Sequence, residues 1–173
     1  MPDKLPSYIL PSFLSIFTLG SNTLLAANFS TSLNFIKTQE GFVPIADNTL
    51  DGIWTVGYGS TWNFDKGRKV QQGDSIDIKT AQRWLEMTVA TTSKEIKSVV
   101  KKSINLNELN ALISLTYNIG LGAFKNSTLL KKLNAGESKI LVSDQFLKWI
   151  YINGVISNGL KNRRIKERQL FLS

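Results

Sequence analysis

The chain has 173 residues, of which 42% are hydrophobic and 20% charged, proportions typical of a globular domain with one hydrophobic core. It contains no histidine and no cysteine, which excludes Ser-His-Asp and Cys-His nucleophilic sites, structural zinc, iron–sulfur clusters and disulfides. Any catalysis must therefore use carboxylates, hydroxyls or lysines, and we expect neither a cofactor nor a bound metal.

The net charge of +8 is concentrated in the second half of the chain. Residues 94–173 carry 14 Lys/Arg and 5 Asp/Glu, whereas residues 1–93 carry 7 and 8. A basic surface favours a polyanionic partner such as nucleic acid, anionic lipid or cell wall. A scattered excess of lysine is also an ordinary property of a soluble surface, so both interpretations stay open.

The amino-terminal segment has the composition of an export signal. No charged residue occurs from Leu5 to Ile36, and residues 8–27 are rich in Leu, Ile and Phe behind Lys4. The run is close to the roughly 20 residues that span a bilayer. We predict that residues 1–29 are either a signal peptide, cleaved after Ala27, or a retained or releasable signal anchor.

No repeat or low-complexity linker interrupts residues 30–173, which we predict to be one catalytic domain. Apolar spacing predicts a short helix that runs into Glu40-Gly41. From there to about Ser60, β-branched and aromatic residues around an Asp51-Gly52 turn predict a small hairpin or three-stranded sheet. Such a sheet, followed by helices, defines an α+β fold with a small sheet lobe and a larger helical lobe.

Beyond Ser60 the pattern is helical. Helix caps are available at Asp77, at the Asn105-Glu108 capping box and at Ser127, and Gly136 is a stop signal. We predict helices over about residues 77–97, 105–120, 129–134, 140–152 and 160–172.

Glu40 is the first candidate for chemistry, because it stands where a predicted helix ends and a sheet begins. Hydrolysis of a glycosidic bond needs a carboxylic acid that gives its proton to the leaving oxygen. Taken alone, a glutamate at a helix end is more often a solvated surface residue.

The sequence around Glu40 carries a longer motif. Glu40-Gly41-Phe42 precedes Gly52-Ile53-Trp54-Thr55-Val56-Gly57-Tyr58-Gly59-Ser60-Thr61, in which Thr55 lies fifteen positions after the glutamate. Here the chain resembles the phage-type lysozymes of glycoside hydrolase family 24, in which both stretches and this Glu-to-Thr spacing recur. The resemblance continues to the carboxyl terminus through Tyr117-Asn118-Ile119-Gly120, Ser127-Thr128-Leu129-Leu130, Trp149, Gly159-Leu160, Arg163-Arg164 and Glu167.

The resemblance implies a lysozyme-like fold and hydrolysis of the β-1,4 bond between N-acetylmuramic acid and N-acetylglucosamine in bacterial peptidoglycan. Carried over by position, Glu40 is the general acid and Thr55 helps to hold the attacking water. The alternative for Thr55 is an ordinary β-branched strand residue.

One position departs from the family. The family places an aspartate, or in some members a cysteine, nine positions after the glutamate, where this chain has Thr49. Asp47 and Asp51 flank it, and alternate residues of a strand project to the same side. We prefer Asp47 as the second catalytic carboxylate, because Asp51 before Gly52 is a natural turn residue. The alternative is that Glu40 works with Thr49 and Thr55, which position water and substrate.

Further site residues are expected in the helical lobe. Tyr117 and Asn118 are candidates for hydrogen bonds to the substrate, with helix capping as the alternative for Asn118. Arg163 and Arg164 are expected to form ion pairs with Glu167 or Asp144, with contact to acidic groups of the cell wall as the alternative.

Together these observations predict an endolysin-type muramidase that is exported to the periplasm or cell wall, acts as a monomer and does not bind nucleic acid. Its amino-terminal segment is expected to insert into the inner membrane if it is not cleaved. The alternative is a catalytically weakened lysozyme-like module that binds peptidoglycan while anchored at the membrane.

Overall fold

The computed structural model describes residues 29–48 and 52–173. The predicted export segment, residues 1–29, lies outside the described residues except for Phe29, and so does the predicted turn residue Asp51. The described residues form two compact units, which divide at residues 90 and 91. Within them, no helix combines the length and the apolar character needed to cross a bilayer.

The first unit begins with helix α1, Ser30–Glu40, which buries Leu33 and Ile36 on one face. Strands β1, Val43–Asn48, and β2, Trp54–Gly57, follow as an antiparallel pair. Strands β3, Trp62–Asn63, and β4, Arg68–Lys69, form a second hairpin. Helix α2, Ile78–Val99, starts in this unit and continues into the next.

The β1–β2 hairpin that the sequence predicts is confirmed. Ala46 of β1 and Val56 of β2 are buried with Val70 and Trp84 in one apolar cluster. A single antiparallel bridge between Ile45 and Ser75 adds a short third segment beside β1. The residues next to Ala46 and Val56 in each strand therefore point to the opposite face of the sheet.

The helix predicted over about residues 77–97 is confirmed, but the statement that the pattern is helical beyond Ser60 does not hold for residues 61–76. The β3–β4 hairpin intervenes, and the helix begins only at Ile78, after the backbone N–H of Thr80 is capped by the Asp77 carboxylate at 2.7 Å. The hairpin is too short to show a period-two pattern. Its position depends instead on Asp74, which is 3% exposed and pairs with Lys66 and Arg68, each at 2.8 Å.

The second unit is mainly helical. Its elements after α2 are α3, Leu106–Ile119; α4, Leu121–Asn126; α5, Thr128–Ala135; α6, Lys139–Ser143; a 3-10 helix, Asp144–Lys148; β5, Tyr151–Ile152; β6, Val155–Ile156; and α7, Asn158–Leu172. Helix α3 is buried from Leu109 to Thr116 and packs against α7. It forms the core of this unit.

Two of the predicted caps in this unit are confirmed. Asn105 and Glu108 form a reciprocal capping box at the start of α3, since each side chain accepts the other residue's backbone N–H. Ser127 caps α5, and Gly136 ends that helix in the left-handed conformation. These signals act over three or four residues, which is why the sequence alone reveals them.

The predicted helix over residues 140–152 is wrong beyond Lys148. The chain passes from α6 through one 3-10 helix into the β5–β6 hairpin. Asn153 and Gly154 have φ angles of 50° and 78°, as a type I′ turn requires. The Asn-Gly pair and its β-branched flanks favour a hairpin over helix continuation.

Candidate active site

The Glu40 carboxylate lies at the carboxyl end of α1, beside the loop that follows β2. A Cβ atom added to Gly59 would lie 3.7 Å from Glu40 Oε2. Gly41, with a φ of 69°, ends the helix, and its N–H donates to the Lys37 carbonyl at 3.1 Å. The partly buried glutamate is thus placed at the end of the helix, close to the backbone of Gly59.

The loop beside Glu40 is a tight three-residue turn. Val56 and Ser60 exchange two backbone hydrogen bonds, of 3.0 and 2.9 Å, and enclose Gly57-Tyr58-Gly59. A Cβ atom on Gly57 would come within 2.9 Å of Ile76 Cδ1, so only glycine lets this strand end pack there. The family motif therefore supplies close packing at Gly57 and a close approach of the backbone to the acid at Gly59.

An aromatic and cationic group accompanies this turn. The rings of Phe42 and Tyr58 are tilted with centroids 5.8 Å apart, and Lys37 Nζ lies 5.8 Å from the Tyr58 ring centroid. Such contacts are attractive because the ring face is electron-rich. They connect the last turn of α1 to the loop after β2, and Lys37 was not among the residues that the sequence singled out.

Asp47 and Thr55 are paired directly across the β1–β2 ladder. Ala46 and Val56 point into the apolar cluster, so their neighbours Asp47 and Thr55 project from the other face of the sheet. The exposed Asp47 carboxylate accepts the backbone N–H of Asn48 at 2.9 Å. The structure thus brings together two of the predicted catalytic residues, whereas Thr49 lies outside the described residues.

Asp74 is the most strongly held carboxylate of the first unit. Hydrogen bonds from Arg68 and Lys66, and a weaker one from the backbone N–H of Gln71, hold the pKa of Asp74 well below its ordinary value despite its burial. The Asp74 carbonyl also accepts the N–H of Ala46 at 2.7 Å. Asp74 is thus a structural residue: its carboxylate holds the β3–β4 hairpin, and its backbone carbonyl joins it to β1.

Asn118 is held by a buried ionic group in the second unit. Its Oδ1 accepts from Arg164 Nη1 at 3.0 Å, and Arg164 Nε lies 2.7 Å from Glu167 Oε2. Arg163 Nε donates to Glu167 Oε1 at 3.1 Å, and Ser114 Oγ donates to the same oxygen at 2.7 Å. Burial raises the pKa of the Glu167 carboxyl, although the charges of Arg164 and Arg163 oppose that shift.

This network resolves two expectations. The predicted pairing of both arginines with Glu167 is confirmed, whereas the alternative acid, Asp144, pairs with Arg168 at 2.8 Å. Asn118 does not cap α3, because that helix ends at Gly120. Tyr117, one residue earlier, is partly buried.

In residues 29–48 and 52–173, no group of three or more acidic side chains is placed to hold a metal ion.

A helical unit, a small sheet unit and a helix-end glutamate beside a Gly-Tyr-Gly turn describe a lysozyme-like protein. The family model described as phage lysozyme matches residues 37–167. The chain belongs to the phage lysozyme family. The resemblance inferred from the motifs is confirmed, and so is the α+β, lysozyme-like fold.

Individual relatives agree with this assignment. An endolysin of Bacillus phage B103 is 35% identical over 143 residues, covering 82% of this chain and 52% of the relative. A SAR-endolysin of Enterobacteria phage P21 is 34% identical, covering 76% and 74%. The solved structure of an endolysin from Escherichia coli O157:H7 phage FAHEc1 superposes with a TM-score of 0.72 at 32% identity, covering 93% and 97%. The chain thus spans about half the length of the Bacillus phage relative.

Proposed function

We propose that this protein is an endolysin-type muramidase, which hydrolyses the β-1,4 bond between N-acetylmuramic acid and N-acetylglucosamine in peptidoglycan. The observation that carries the proposal is the placement of Glu40. Its carboxyl group lies at the end of helix α1, and on the side of Gly59 the absence of a Cβ atom leaves room for a sugar beside Oε2. A sugar oxygen needs this kind of access to a proton donor.

Glu40 is the general acid in this proposal. It donates its proton to the bridging oxygen while the bond from that oxygen to the anomeric carbon breaks, so the leaving sugar departs as an alcohol. A water molecule adds to the anomeric carbon, and its proton passes to a base. General acid–base groups of this kind each contribute roughly a hundredfold to ten-thousandfold to the rate.

Asp47 and Thr55 are the residues that position and deprotonate the attacking water in this proposal. Their cross-strand pairing on the face opposite the apolar cluster supports this role, since directly opposed residues have Cβ atoms about 5 Å apart. The Thr55 hydroxyl both donates and accepts, which orients a water molecule, and the Asp47 carboxylate accepts its proton. Thr49, Tyr117 and Asn118 are assigned to the substrate.

Export to the periplasm or cell wall is part of the proposal, by a signal peptide or a releasable signal anchor in residues 1–29. The uncharged run from Leu5 to Ile36 supports it. The name SAR-endolysin of the P21 relative denotes a signal-anchor type, which favours an anchor that inserts into the inner membrane. We propose that the enzyme acts as a monomer.

The products of digestion test this function. Purified peptidoglycan is incubated with the protein, and the soluble fragments are reduced with borohydride and identified by mass spectrometry. A muramidase leaves N-acetylmuramic acid at the reducing end, so reduced muramic acid is expected. Reduced N-acetylglucosamine, anhydro sugars, or binding to the wall without any soluble fragment would contradict the proposal.

A further inference from the structure

The β5–β6 hairpin is apolar and faces solvent on all four of its strand residues. Tyr151, Ile152, Val155 and Ile156 are 47%, 55%, 70% and 53% exposed. An isolated two-stranded hairpin is marginally stable at best in water. This one is fixed at its tip by the type I′ turn and at its base by the Ser157 N–H, which donates to the Ile150 carbonyl at 2.8 Å.

The charged residues that flank the hairpin in sequence, from Gln145 to Lys166, are all positive. From Gln145 to Lys166 the sequence contains five Lys or Arg and no Asp or Glu. Arg163 and Arg164 are buried against Glu167, whereas Lys148, Lys161 and Lys166 are exposed. An apolar hairpin whose nearest exposed charges in sequence are cations is complementary to a surface that is apolar beneath an anionic layer.

We propose that the β5–β6 hairpin is a membrane-docking element, which inserts its apolar side chains into the interfacial region of an anionic lipid bilayer. Lys148 precedes β5, and Lys161 lies one turn into α7, so both flank the hairpin in sequence and reach headgroup phosphates. Exposed Tyr151 and half-buried Trp149 are residue types enriched at membrane interfaces.

A glycan strand fits this surface less well than a bilayer does. Sugars are bound through hydrogen bonds and aromatic faces; Tyr151 offers both, but Ile152, Val155 and Ile156, the other three exposed strand residues, offer neither. Transfer of these aliphatic side chains out of water is favourable wherever they are covered, and the interfacial region of a bilayer covers both faces of a projecting hairpin. Docking would keep the enzyme at the inner membrane without a covalent or spanning anchor.

The absence of cysteine makes a site-specific test direct. In the full chain, Val155→Cys is labelled with an environment-sensitive fluorophore and mixed with vesicles of phosphatidylethanolamine and phosphatidylglycerol. We expect a blue-shifted emission that rises about twofold and is quenched by nitroxides in the lipid. The matched control is Ser103→Cys, at an exposed position of the same unit, where the same label should respond little, even if residues 1–29 bind the vesicle.

Charge variants complete the test. In the labelled protein, Lys148→Gln with Lys161→Gln should weaken the response to phosphatidylglycerol vesicles by about tenfold, whereas Lys101→Gln with Lys102→Gln should change it less. Equal responses of the two labels, or an equal response to neutral phosphatidylcholine, would overturn the proposal. A response to peptidoglycan instead of vesicles, or to protein concentration alone, would assign the hairpin to glycan or to a second copy and would also overturn it.

Discussion

Asp47 and Thr55 lie directly opposite each other on the antiparallel strands β1 and β2. The family position for the second acid carries Thr49 in this chain, and the cross-strand pairing offers Asp47 as a carboxylate next to Thr55, the residue that we propose holds the water. Substitutions of Asp47 and of Thr55 therefore test the same proposed water-binding position.

Asp47→Asn is expected to lower the rate of wall hydrolysis by about a hundredfold, because the amide cannot accept the proton of the water. Thr55→Ala should lower it similarly, and Thr49→Ala less. The rate is measured by release of dye from labelled wall. Asn48→Ser, which changes the next residue of the same strand, should leave it unchanged; an active Asp47→Asn variant would exclude Asp47 as the base.

Gly59→Ala is expected to lower wall hydrolysis by at least about tenfold, because its methyl group would sit against Glu40 Oε2, where the substrate oxygen must approach. Gly73→Ala is the matched control. The two glycines have φ angles of 84° and 82°, and a Cβ on Gly73 would meet nothing within 4 Å. Both variants should lose a similar stability, about 1 to 2 kcal/mol, measured by denaturant unfolding. Equal activities in the two variants would contradict the role given to Gly59.

Asp74→Asn should destabilise the first unit by about 2 kcal/mol at pH 7, because Arg68 and Lys66 lose a buried charged acceptor. The pKa of Asp74 is held below its unfolded value of about 3.9. Its contribution is therefore present above that pH and is lost as the pH falls below it. Denaturant unfolding at pH 7 and pH 3 should show a smaller gap between wild type and variant at pH 3. Asp65→Asn, which breaks an exposed pair with Arg83, should cost less than about 1 kcal/mol.

Asn118→Asp separates the structural role of Asn118 from its proposed contact with the substrate. The guanidinium of Arg164 only donates, so the oxygen of Asn118 faces it and the amide nitrogen is the group directed elsewhere. The aspartate keeps an oxygen for Arg164 and loses the NH2 donor. We expect unchanged thermal stability and a KM raised about tenfold. Asn118→Leu, which removes both groups, should lower the stability as well; an unchanged KM in both variants would leave Asn118 a structural residue.

Features that depend on neighbouring residues could be predicted from the sequence, whereas contacts between distant residues could not. The Asn105-Glu108 capping box, the Asp77 cap and the Gly136 stop act within four residues, and the structure confirms each of them. The prediction of a helix over residues 140–152 was wrong at its end, because it used apolar spacing alone and did not consider the Asn153-Gly154 turn. The short apolar stretch just before this turn is compatible with a helix and with a strand of a hairpin.

Contacts between residues far apart in the sequence could not be predicted from the sequence alone. Nothing near Asn118 indicates that Arg164, 46 residues later, holds its oxygen, and nothing near Glu40 places Gly59 beside its carboxylate. The recurring motif signalled that both glycines matter, but only the fold separates close packing at Gly57 from proximity to the acid at Gly59. The pairing of Asp47 with Thr55 likewise required the register of the hairpin.

The activity of Glu40→Gln on purified peptidoglycan tests the central claim most directly. The glutamine keeps the shape of the side chain but has no acidic proton to donate, so lysis should fall by a hundredfold or more, about the contribution of one general acid, with unchanged circular dichroism and denaturant unfolding. Glu86→Gln, the same change on helix α2 of the same unit, should retain full activity. Wild-type rates of lysis in Glu40→Gln would contradict the proposed mechanism.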